Sequence, residues 1–147
     1  MAATPIDPHV ALARGREILD PVLTQHGFEF VQASQPGTGD TASGAYVRGT
    51  RRLTFSFRAG ALGNVVYHVG EHTLAHEGYM RLVLGPEGSN EYPGFAKDPL
   101  MGFHHLCHDL ATYAGVFLTG SDERFAQLVR LAGAQAAAAS VRPFLRA

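Results

Sequence analysis

One cysteine, Cys107, stands in 147 residues, so the chain closes no intramolecular disulfide and holds no Cys-rich zinc module. No run of about 20 apolar residues is present to cross a bilayer. Met1 to Asp7 lacks the basic start and apolar stretch of a secretion signal, which makes a cytoplasmic protein the expectation. Charge of either sign is scarce: 12 basic against 13 acidic residues leave a formal net charge of -1. A general nucleic-acid binder would need clustered positive charge to displace counterions, so that class is set aside along with membrane proteins.

Familiar catalytic signatures are also missing. Gly37-Thr38-Gly39-Asp40 has no lysine–serine ending and leads towards a strand, whereas a phosphate loop precedes a helix. No Gly-x-Ser-x-Gly elbow occurs. The acidic residues are scattered, so no carboxylate pair is nominated for acid–base work. Cys107 falls on the apolar side of a predicted helix, as a small buried thiol does.

What is present describes one globular domain over residues 1–147, with 46% hydrophobic and 17% charged residues. Asp7-Pro8 opens a first helix with a capping carboxylate and a proline suited to the first position. Asp20-Pro21 should kink it or start a second, and Gly27 should end it. Phe28 and Phe30 begin a strand. Leu53, Phe55, Phe57 and Ala59 alternate with Arg52, Thr54, Ser56 and Arg58, the period of a half-buried strand. Ala45 to Arg48 and Val65 to Val69 read as its neighbours across short polar turns, which favours an antiparallel meander.

Helical patterns follow over Thr73 to Leu84 and over Phe103 to Phe117, the second after an Asp98-Pro99 start signal. Ser121-Asp122-Glu123 opens a last helix whose Ala134 to Ala139 end is Ala-rich, with Pro143 marking a short tail. The expected fold is therefore α+β: a two-layer sandwich of a four-stranded antiparallel meander with helices on one face, in the order α-β-β-β-β-α-α-α.

Three groups of residues are candidates for function. His72/His76 and His104/His108 are two His-x-x-x-His pairs, a step that shares one helical face and offers imidazoles to zinc or another transition metal. Thr73 and His105 stand where a metallopeptidase would have glutamate, so the general base of that mechanism is missing. Arg48, Arg52 and Arg58, with Thr54, Ser56 and His68, make a locally positive sheet face if the turn register places Arg48 there. Guanidinium forks suit carboxylate or phosphate, so a small-anion site is one alternative, against the ordinary role of a solvated outer face. The long connection from Gly85 to Pro99 offers Tyr92 as a contact residue and Phe95 as a packing one.

The segments Tyr67-His68-Val69-Gly70, His76-Glu77-Gly78-Tyr79-Met80-Arg81, Tyr92-Pro93-Gly94-Phe95 and Asp98-Pro99-Leu100 through His108-Asp109-Leu110 resemble small single-domain bacterial proteins of uncharacterised families. Some of these are grouped with immunity proteins of polymorphic toxin systems. The resemblance covers residues 45 to 118 and implies a surface that occludes a toxin, with no cofactor and no catalytic residue. The near-neutral charge departs from immunity proteins that mimic nucleic acid. Sequence alone therefore points first to a non-enzymatic protein-binding module. A histidine metal site, binding or hydrolytic, and a small-anion site are the alternatives.

Overall fold

The computed structural model describes residues 7–32, 41–58, 61–84 and 100–145, with side chains up to Ala134 and excepting Ala61. Helix α1 (Pro8–Leu23) starts as the sequence dictates. Asp7 Oδ1 accepts from the amides of His9 at 2.8 Å and Val10 at 3.3 Å, and Pro8 follows the cap. The helix continues past Pro21, whose missing amide costs one bond near the end, while Leu19, Val22 and Leu23 hold that end in the core. A 3-10 turn (Thr24–His26) follows, and Gly27 at φ +84 ends it.

Five strands, one more than expected, form an antiparallel meander: β1 (Glu29–Gln32), β2 (Thr41–Arg48), β3 (Arg51–Arg58), β4 (Ala61–Val69) and β5 (His72–Ala75). The fifth corrects the reading of Thr73 as helix. Gly70 at φ +60 supports a two-residue hairpin turn, and His72–Ala75 pairs back on Val66–Val69. Leu74 is the only buried residue of that strand, so four residues carried too little alternation to be seen. Gly70 N also donates to Thr50 O at 3.0 Å, joining two hairpin turns at one end of the sheet.

Register sorts the two faces. Leu53, Phe55 and Phe57 are at most 2% exposed, with Tyr46 and Tyr67 opposite Leu53, whereas Arg52 and Arg58 face out. On β4, Leu62 and Val65 both point inward although three residues apart. A β-bulge opposite Thr54–Ser56 absorbs the change of phase, with Asn64 at φ +53 as its left-handed residue.

Helices α2 (His76–Leu84), α3 (Met101–Tyr113), α4 (Gly115–Leu118) and α5 (Asp122–Leu145) pack with α1 on the apolar side of the sheet. Phe103 of α3 lies over Phe57, ring centroids 6.0 Å apart, and meets Phe55 edge-on. Gly15 of α1 admits that ring: a Cβ there would stand 2.3 Å from Phe103 Cε1. The expected single helix through Phe117 divides at Ala114. Arg51, 8% exposed, spans the next break. Its guanidinium donates to the carbonyls of Val116, Phe117 and Gly120 and pairs with Asp122 Oδ1 at 2.9 Å, so one side chain ends α4 and meets the start of α5. Ser121 Oγ caps α5 by accepting from Arg124 N, and the helix runs through Pro143 to Leu145.

The α+β class stands. Among the described residues, no helix is long and apolar enough to cross a membrane.

Candidate functional site

Among the described residues the helices pack on one face of the sheet, and the register writes out the surface of the other. One row across the strands is Glu29, Val47, Arg52, His68 and Thr73; the next is Val31, Ala45, Thr54, Val66 and Ala75; a third holds Ser43, Ser56 and Gly63. Small side chains at 43, 45, 54, 56 and 63 leave the middle low, and the bulge bends β4 beside it. The result is a recess of ≈ 410 Å³ lined by Val31, Ala45, Val47, Arg52, Thr54 and Ser56, among others. Its polar and apolar groups alternate. Asn64 Nδ2 donates to Ser56 Oγ at 3.1 Å, and Thr54 Oγ1 lies 3.0 Å from His68 Nε2. Burial first, and the adjacent Arg52 charge second, pull His68 below the usual imidazole range, so the ring is neutral at pH 7.

The arginines nominated from sequence do not stay together. Arg52 and Arg58 share the outer face, but they are six residues apart on β3, about 20 Å along a strand. Arg48 pairs with Arg51 and turns the other way. Its guanidinium lies over the Phe28 ring at 4.7 Å and donates to His26 O at 2.6 Å, so it fastens the turn after α1 to the sheet. His68 joins Arg52 in one row. Tyr92, Phe95 and the Asp98-Pro99 signal lie outside the described residues.

The first histidine pair is divided by the fold, while the second stays on one helix. His72 is exposed on β5, while His76 begins α2 and is 1% exposed, so no helical face unites them. His104 and His108 are exposed on α3. Among the described residues, no group of three or more histidine, cysteine, aspartate or glutamate side chains is placed to hold a metal ion. Cys107 is half-buried, and burial pushes its thiol above the ordinary range, the reverse of an activated nucleophile.

His76 instead belongs to a buried chain of polar groups that sequence reasoning missed. Tyr67 on β4 lies 2.5 Å through its hydroxyl from His76 Nδ1, and His76 Nε2 lies 3.0 Å from Asp109 Oδ2 on α3. In the tautomer that carries its proton on Nε2, the ring donates to the Asp109 carboxylate and accepts from the tyrosine hydroxyl through Nδ1. Burial is the largest influence on His76 and lowers its pKa, against the raising effects of Asp109 and Glu77. Tyr67, His76 and Asp109 are at most 5% exposed, so the chain is sealed within the core and joins sheet to helices. Its sequence signal was Asp109 itself, a carboxylate placed on the apolar stripe of Phe103, Leu106 and Leu110.

Comparisons with protein-family models, curated proteins and solved structures find no match.

Proposed function

We propose that this chain is a non-enzymatic, cytoplasmic protein-binding module of the immunity type, and that it meets its partner through the outer face of β1–β4. The observation that carries this reading is the mixed character of that face. An outer sheet face is ordinarily polar; here Val31 is 51% exposed, and Val31, Ala45, Val47 and Val66 interrupt arginine, serine and threonine. Protein interfaces combine apolar groups with arginine and hydrogen-bonding side chains, and this face offers all three. The polar chain at His76 is buried and serves the core.

The test is photo-crosslinking inside native cells, with the reactive residue at Ser56 on the face or at Arg130 on the exposed side of α5. A discrete protein adduct should form from position 56 and not from position 130. The captured protein, purified, should bind the wild-type chain and lose that binding with Val47→Asp. Expressed alone it should arrest growth, and co-expression of this chain should relieve the arrest. Equal adducts from both positions, or none, would end the case for this face. Binding without growth arrest would remove the immunity role.

A further inference from the structure

The five strands contain four arginines and one acidic residue, Glu29. Two of the arginines are committed within the fold: Arg48 to His26 O and the Phe28 ring, and Arg51 to the helix ends and Asp122. Arg52 and Arg58 point outward, and among the described residues neither has a carboxylate within ion-pair distance. Glu29 shares the row of Arg52 but sits two strands away, beyond Val47. Arg52 therefore stands at the recess as a charge without a counter-charge. Beside it lie the apolar groups of Val47, Ala45 and Val31.

We propose that this recess takes a carboxylate and an adjoining aliphatic side chain from the partner protein. The carboxylate pairs with the Arg52 guanidinium, and the aliphatic group rests on Val31, Ala45 and Val47. The proposal rests on the reading of this face as the protein-binding surface, and it specifies the chemistry of the partner's anchor. A guanidinium fork matches the two oxygens of a carboxylate. A neutral His68 neighbour leaves that positive charge undivided, whereas a cationic anchor would be repelled. The ≈ 410 Å³ recess has room for a carboxylate together with an aliphatic side chain. Arg58, about 20 Å along the strand, lies outside it.

Hexanoate serves as the probe for the anchor, with hexanamide as its uncharged counterpart, and methyl NMR of the full chain as the readout. Hexanoate should shift the Val31 and Val47 methyl signals in a saturable way, and hexanamide should bind about fivefold more weakly, the scale of one partly exposed ion pair. Arg52→Gln should erase the difference between the two probes. Arg58→Gln should leave it intact, and both exposed substitutions should leave the remaining methyl spectrum unchanged. Equal binding of hexanoate and hexanamide, shifts mapping to another surface, or identical behaviour of the two variants would overturn the proposal.

Crosslinking from position 56 separates this inference from the broader reading. An adduct with no preference for hexanoate rejects the anchor while the protein-binding face stands. Preference for hexanoate with no adduct rejects the partner as the source of the carboxylate.

Discussion

Asp109 Oδ2 accepts from His76 Nε2 at 3.0 Å, and this contact closes the distance between α3 and the first residue of α2 inside the core. The imidazole has its other nitrogen against the Tyr67 hydroxyl, so three elements are held through one ring. A fully satisfied polar chain of this kind is stable only while every member keeps its partner.

Removal of Asp109 tests that dependence. Asp109→Ala takes the carboxylate away from the buried His76 ring and should cost about 2–3 kcal/mol in chemical denaturation. Tyr67→Phe, which removes one hydroxyl and keeps the ring, should cost about 1–2 kcal/mol. A loss below about 0.5 kcal/mol for Asp109→Ala would show that the contact does not persist in solution.

Acid should weaken the fold through the same ring. Burial lowers the folded-state pKa of His76 below its ordinary value of 6.5, so below that pH the unfolded chain binds the proton more readily. Stability is therefore flat above pH about 6.5 and falls as the pH drops towards the lowered folded value. His68, shifted the same way by burial and Arg52, adds to the slope. Thermal midpoints measured from pH 8 down to pH 5 should show this decline, and His68→Gln should make it shallower. NMR titration of the His76 ring should place its midpoint below the ordinary 6.5; a higher midpoint would reverse the sign.

Arg51 fastens a helix junction, and its loss should be felt there first. Arg51→Met keeps the aliphatic stem but strips the donors from the Val116, Phe117 and Gly120 carbonyls, costing about 2–4 kcal/mol. Arg51→Lys should restore little, because an ammonium cannot present a planar fork to several oxygens. Hydrogen exchange should accelerate at the start of α5 before the sheet is affected. Uniform acceleration would show that Arg51 acts on the whole core instead.

Packing between α1 and α3 gives a fourth expectation. Gly15→Ala would set a Cβ 2.3 Å from Phe103 Cε1, so the ring or the helix must shift, at about 1–3 kcal/mol. Phe55→Ala should cost about 3–5 kcal/mol, since its ring is 2% exposed between Tyr46 and Phe103. Urea denaturation checks both, and a neutral Gly15→Ala would show the α1–α3 contact to be looser than drawn.

Where local rules decide the structure, the sequence was readable. Asp7, Ser121 and the alternation of Arg52 to Arg58 act within a few residues, so each is legible from its neighbours in the chain. β5 was not, because one buried leucine in four residues matches a helix start as well as a strand. The equal spacing of His72/His76 and His104/His108 likewise held no information about the break between β5 and α2. Arg48 turned inward because a two-residue turn at Gly49 puts it opposite Arg51, and register is a property of two strands together. The polar chain at His76 depends on residues 67, 76 and 109, whose meeting is set by packing alone.

The place of Gly15 and Phe103 in the chain has a consequence for synthesis on the ribosome. Strands added in order zip to the strand just made, so the meander grows by short loops. The ring that seals α1 against β3 arrives only after the whole sheet has emerged. Until then the nascent chain shows the phenylalanines of β3 to its surroundings, and that interval is when a chaperone would be needed most.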